Sequence, residues 1–162
     1  YITVLKALEA KAVYSYSPGV VKCKIACTWE DLSGSIEIVE IKQPFEKCIL
    51  SQRTYRDNYT PKKELSGSIM QAEKYIFHLS KWGVDGEKEI LQKRQAELPP
   101  DFKIRITNPK ALIILGRDNN FASDQLFDFE IIRRKYANMI DIITYDDLLR
   151  RFKNIVTMLS IK

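Results

Sequence analysis

Ser35-Ile-Glu-Ile-Val-Glu-Ile-Lys42 is the stretch on which the reading of this chain turns. Side chains alternate between the faces of a strand, so Ile36, Ile38, Glu40 and Lys42 share one face, apolar at first and charged at its end. A solvated face would be polar along its whole length. Here a carboxylate and an amine stand where the buried face gives out, near the C-terminal end of the strand. That order suits metal-assisted hydrolysis, in which the carboxylate holds a hard cation and the amine orients or helps deprotonate an attacking water. It also suits an ordinary ion pair, and a second Glu-x-Lys, Glu9-Ala-Lys11, falls on a predicted helix. Taken alone, the motif favours the ion pair.

Upstream of this strand, Leu5, Leu8 and Ala12 predict a short helix over Ile2 to Ala12, and Ser17-Pro18-Gly19 predicts a turn. Val20 to Trp29 reads as a strand, joined to Ser35–Lys42 through Glu30-Asp-Leu-Ser-Gly34 as a β-hairpin turning near Ser33. Pro44 cannot donate to a ladder and ends the second strand. Gln43 to Lys63 is polar and basic, too long for a tight turn, and reads as a functional loop. Leu65, Ile69, Ala72, Ile76 and Leu79 then recur at helical spacing on one stripe. A second, polar helix is expected from Asp85 to Leu98, stopped by Pro99-Pro100. Beyond Pro109 the pattern alternates: strand Ala111–Leu115, helix Ser123–Asn138, strand Ile140–Thr144, helix Tyr145–Leu159. Thr144 with Asp147 predicts a capping box at the start of that last helix. The fold class is therefore α/β: a central mixed sheet flanked by helices, in one domain over residues 1–162.

Composition sets outer bounds. Hydrophobic residues make up 45% and charged residues 29%, and no run approaches the roughly 20 apolar residues of a membrane span, so no membrane partner is expected. The chain starts at Tyr1 without a basic-then-apolar leader and is read as a fragment of a longer protein. Cys23, Cys27 and Cys48 are odd in number with no Cys-x-x-Cys pair, which argues against a disulfide framework or a cysteine zinc site and points to a reducing cytoplasm. A net charge of +5 suits a polyanionic partner, a weak signal because many basic proteins bind no nucleic acid.

The long helix adds a second constellation. Gln71 and Tyr75 are four residues apart, on one face, and are expected to flank the apolar stripe. The carboxamide can hydrogen-bond a phosphate or a metal-bound water, and the tyrosine can stack or donate its hydroxyl. Considered singly, each reads better as a boundary residue. Arg53, Arg56, Lys62 and Lys63 lie between the two motif elements, within reach of phosphates or simply solvated. His78 reads as a boundary histidine, and Arg133-Arg134-Lys135 as a solvated helix face.

A strand ending Val39-Glu-Ile-Lys42, a loop, and then a helix carrying Gln71-x-x-x-Tyr75 resembles the PD-(D/E)XK nuclease superfamily, and within it the RecB-like members. More narrowly, Arg53-Thr-Tyr-Arg-Asp-Asn-Tyr-Thr-Pro61, then Glu64-Leu65 and Gln71, then Pro109-Lys-Ala-Leu-Ile-Ile-Leu-Gly116, are similar to the Shedu anti-phage defence nucleases, a resemblance spanning Cys23 to Ile155. It implies an oligomeric bacterial or archaeal endonuclease that cuts DNA with Mg²⁺, Mn²⁺ being tolerated. Catalysis would then fall to Glu40, Lys42 and Gln71, and nucleic-acid contact to Arg53, Arg56 and Tyr75. The superfamily has an acid on the preceding strand facing the Glu, but here the facing residue is expected near Ala26 or Cys27. Asp31 is the nearest acid and the second candidate metal ligand, though it sits at the hairpin tip. The alternatives are further loop residues after Asp31 that this sequence lacks, an inactivating substitution at Ala26, or a borrowed acid such as Glu9. The competing function is a nuclease-fold module that has lost its acid and binds nucleic acid or mediates assembly.

Overall fold

The computed structural model describes residues 13–16, 23–30, 33–98 and 100–160. The predicted Ile2–Ala12 helix with Glu9, the turn at Ser17-Pro18-Gly19, and Asp31 lie outside them. Five strands, β1 (Val13–Tyr16), β2 (Cys23–Glu30), β3 (Ser33–Ile41), β4 (Lys103–Ile114) and β5 (Ile140–Ile143), follow one another in the sheet in chain order. Among the described residues, α1 (Lys63–Arg94) lies between β3 and β4, α2 (Ser123–Tyr136) connects β4 to β5, and α3 (Tyr145–Ser160) follows β5. The β1/β2 and β2/β3 pairs are antiparallel. Beyond β3 the direction changes. Lys42 N–H donates to Ile114 O (2.9 Å) and Gly116 N–H to Gln43 O (3.3 Å), while Leu115 N–H donates to Ile143 O (3.1 Å) and Tyr145 N–H to Gly116 O (3.1 Å). Partner numbers rise together in both sets, the signature of parallel pairing, which the helical crossovers require. The sheet is mixed, as the alternation of elements predicts.

Two expectations need correction. Strand β1 falls on the start of the stretch Tyr14 to Val21 expected to be a turn, since four residues ahead of Ser-Pro-Gly leave too short a pattern to register. Strand β4 begins at Lys103, well before Ala111. Its burial alternates through Ile104 and Ile106, then slips one residue to Pro109 and Ala111, with Asn108 at φ 45° between them. An inserted residue of this kind is a bulge, where a proline is tolerated and the period of two is broken. The two helices expected before and after residue 84 both form; they meet at a kink at Gly83, whose φ of 46° and ψ of −129° few other residues adopt, and are described together as α1.

The chain divides into two compact units, one of residues 41–70 and 113–162, the other of residues 2–40 and 71–112. In the second unit the buried side chains include Ile36, Ile38, Ala72, Tyr75, Ile76, Leu79, Ile104 and Ile106. Glu87, on α1, accepts the Ile106 N–H at 2.7 Å and pairs with Arg105 at 3.7 Å, so the helix satisfies a strand donor. A Cβ at Gly86 would stand 2.8 Å from Ile106 Cδ1 and against the Trp82 ring, so helix and strand approach as closely as glycine permits. In the first unit Ile49, Leu65, Ile113, Leu115, Ile140, Ile142 and Ile143 are buried. The five residues of the predicted α1 stripe are all buried. Among the described residues no helix is long and apolar enough to cross a membrane.

Candidate functional site

Along β3 the burial follows the sequence pattern: Ile36 and Ile38 are buried, Glu40 is half-buried, Ile41 is exposed, and the following Lys42 is half-buried. The charged groups therefore do stand where the apolar face ends. Both engage other groups of the chain, so neither is a bare charge. The backbone of Lys42 is held on both sides, its N–H by Ile114 O and its carbonyl by the Tyr145 hydroxyl at 2.7 Å. A lysine stem rooted in this way begins from a fixed point, which limits where its amine can go.

Gln71 and Tyr75 meet as their spacing predicts: the carboxamide Nε2 donates to the tyrosine hydroxyl. Their environment differs from the expectation. Tyr75 is 5% exposed and belongs to the core, because the apolar stripe of α1 is wide enough to include the position before Ile76. Its hydroxyl orients Gln71, which is half-buried.

The hairpin register corrects the search for a second acid. Glu30 pairs with Ser33, so the connection is two residues long, and Ala26 pairs with Glu37 rather than Glu40. Continued two pairs beyond Ile25–Ile38, the same register brings Cys23 opposite Glu40. The expected partners, Ala26 and Cys27, are out of register because Glu30 already pairs with Ser33, which sets Ala26 against Glu37 and Cys27 against Ile36. Among the described residues, no three His, Cys, Asp or Glu side chains gather as a metal-holding group.

The loop between β3 and α1 is better built than its composition suggests. Lys62 N–H donates to Ile49 O (2.9 Å), Leu50 bridges Pro61, and Ser51 N–H donates to Thr60 O (2.8 Å). Thr60 N–H returns to Ser51 Oγ at 3.0 Å. At the far end Tyr55 and Asn58 exchange backbone hydrogen bonds of 2.8 and 3.1 Å around Arg56 (φ 50°) and Asp57 (φ 62°). Two central residues with positive φ mark a type I′ turn, which sequence normally announces with Asn-Gly. A non-glycine residue held there costs on the order of 1 kcal/mol or more. Arg53 and Arg56 are exposed, as expected. Lys62 is instead a staple, its amine donating to Lys47 O at 2.6 Å.

A charged network that sequence reasoning missed closes the C-terminal ends of β4 and β5. Asp146, 7% exposed, accepts Arg117 Nε (2.8 Å) and Nη2 (2.6 Å), together with the backbone N–H groups of Asp118 (2.8 Å) and Asn119 (3.2 Å). The Arg117 hydrogen bond, with the Asp118 N–H, outweighs burial and holds its carboxyl down to about 2, from an ordinary 3.8. Arg150 spans Asp118 (2.8 Å) and Asp147 (2.7 Å), and both carboxylates strengthen its protonation. Burial raises the Asp147 pKa, but Arg150 and Arg133 together bring it below the usual value. Arg133, read as part of a solvated run, lies 3.3 Å from Asp147 and over the Phe129 ring. Only the parallel contact of β4 with β5 brings positions 117 and 146 together, so no local spacing could reveal the pair. Beside Arg117, a cavity of about 400 Å³ is lined by Lys47, Ser51, Gln52, Asn119, Asn120 and Gln125.

The sequence profile of the family described as Shedu protein SduA, C-terminal, matches residues 18–149. The chain belongs to that family. The match takes in the whole β2/β3 hairpin, the 49–62 ribbon, α1 and the Arg117–Asp146 pair of this Shedu domain. No curated protein shows significant similarity to it.

Proposed function

We propose that this Shedu domain is a metal-dependent endonuclease that hydrolyses DNA phosphodiester bonds in bacterial anti-phage defence, on a PD-(D/E)XK-type core. Family membership supports the setting. The observation that carries the chemistry is the Gln71–Tyr75 hydrogen bond, on the helix that follows a strand whose buried face ends at Glu40 and Lys42. Glu40 would hold Mg²⁺, or Mn²⁺ in its place, since such ions take one or two carboxylates and complete their shells with water and substrate phosphate. A half-buried glutamate at the end of an apolar strand face fits that use. The cation would supply Lewis-acid stabilisation of the scissile phosphate. Lys42 would orient the attacking water and stabilise charge developing on the phosphate, and Gln71, aligned by Tyr75, would position water or a phosphate oxygen. Arg53 and Arg56 would neutralise neighbouring phosphates.

The exposed apolar residues Leu149, Phe152, Val156 and Leu159 recur along one side of α3 and support self-association, which size-exclusion chromatography with light scattering would read directly. A second reading is a domain that binds nucleic acid without cutting it, favoured by the non-acidic Cys23 at the register position opposite Glu40.

The test is plasmid cleavage with Mg²⁺ or Mn²⁺ by the protein and by Glu40→Ala and Lys42→Ala. Each variant should lose about 10²-fold or more of the rate, as when a group acting on transition-state charge is removed. If the unaltered chain does not cut, Cys23→Asp supplies the missing acid in register. Recovered cleavage marks an inactivated nuclease, whereas continued silence with intact DNA binding moves the assignment to the binding module.

A further inference from the structure

The 49–62 ribbon presents at its tip an aromatic side chain that packing does not need. Tyr55 is 65% exposed, and the Arg56 guanidinium lies over its ring, 5.4 Å from the centroid. The turn that presents it places an arginine and an aspartate in succession at positive φ, which local sequence alone would not choose. Such a conformation persists where surrounding bonds impose it. Here the ladder from Ile49–Lys62 to Ser51–Thr60 fixes the base of the ribbon. Tyr59 N–H, donated to Asp128 on α2 at 2.7 Å, fixes the ribbon to the helix. Asn58 Nδ2 closes the tip on Arg56 O at 2.5 Å. Three residues, Gln52, Arg53 and Thr54, stand against the single Tyr59 between the Ser51–Thr60 and Tyr55–Asn58 pairs, so the extra length falls on the strand that carries Arg53. The result is a rigid, strained, solvated finger ending in a cation-backed aromatic ring.

We infer that Tyr55 is a base-stacking residue: the finger inserts its ring against an unpaired or unstacked nucleobase, while Arg56 and Arg53 take the adjoining phosphates. Every base offers a π-face, so such a contact is tolerant of sequence but selects strands whose bases are accessible over intact duplex. A rigid finger reaches such a base without the ordering cost of a flexible loop. This inference rests on the nucleic-acid reading of the domain and adds to it the class of strand recognised.

The experiment is equilibrium binding in EDTA, so that nothing is cut, to a single strand carrying 2-aminopurine and to the same sequence fully paired. The unaltered protein should prefer the single strand and quench the 2-aminopurine emission. Tyr55→Ala should bind the single strand about ten- to a hundredfold more weakly with the quench gone, the loss expected for one stacked base. Tyr55→Trp should keep both. Arg56→Ala should reduce the slope of log K against log salt by about 0.7, one single-strand phosphate. Equal melting temperatures across these exposed-site variants verify the fold. Binding and quenching left unchanged by Tyr55→Ala would overturn the stacking role while leaving the nucleic-acid reading intact. Absence of any nucleic-acid binding by the unaltered protein would remove both.

Discussion

Replacing Asp146 by Asn leaves the volume of a buried side chain unchanged and removes its charge. It thereby tests whether the β4/β5 ends are held by an ion pair or by packing. The carboxylate is 9% exposed and receives two guanidinium contacts and two backbone N–H groups. Asparagine offers one acceptor oxygen, and its NH₂ must then face a donor. The folded carboxyl titrates at about 2 against an ordinary 3.8, and at 1.36 kcal/mol per unit that difference stabilises the fold by about 2 kcal/mol at neutral pH. Removing one partner of a fully buried pair costs about 3–5 kcal/mol. Arg117, with 34% of its side chain exposed, keeps part of its hydration, so about 2–3 kcal/mol is expected here. The sign follows from the depressed folded pKa. The ionic contribution is complete above the unfolded value and is lost as pH falls through the folded one, between pH about 4 and about 2. Urea unfolding of both proteins across that range should show a gap that narrows by about 2 kcal/mol as the wild type loses its advantage. A gap of the same size at pH 6 and at pH 2.5, or one below about 0.5 kcal/mol at pH 6, would refute the ionic account.

Two stability predictions follow from backbone geometry. Gly116 sits at φ 59°, and a Cβ there would lie 2.6 Å from Cys48 Sγ and 2.8 Å from Ile49 Cγ1, so Gly116→Ala should cost about 2–4 kcal/mol in urea unfolding. Thr144→Ala removes the Oγ1 acceptor of the Asp147 N–H (2.9 Å) and should cost about 1 kcal/mol, whereas Thr144→Ser should recover most of it.

Much of this architecture was legible because its signals are local. The α1 stripe, the alternation of β3, and the Thr144–Asp147 capping box each depend on residues within a turn or two. The box forms reciprocally, with Thr144 N–H on Asp147 Oδ2 at 3.3 Å. The failures have physical causes of their own. Asn108 shifts the period of β4 by one, so a pattern search restarts at Ala111 and misses the first half of the strand. The 49–62 ribbon lacks Asn-Gly at its turn and therefore reads as loop; its strained residues are held by bonds to Asp128 and across the ladder, which no window of the sequence contains.

For the candidate site, sequence by itself determined that Glu40 and Lys42 share a strand face and that Gln71 and Tyr75 share a helix face, because both periods are fixed by backbone geometry. Tertiary structure decided that Tyr75 is a core residue orienting Gln71, that Ala26 stands against Glu37 rather than Glu40, and that Arg117 meets Asp146. Register depends on where a hairpin turns, burial depends on what the rest of the fold lays over a face, and ion pairing between distant segments depends on which strands become neighbours. Each is a relation between segments, settled by total free energy of the folded chain and not by the preferences of either segment.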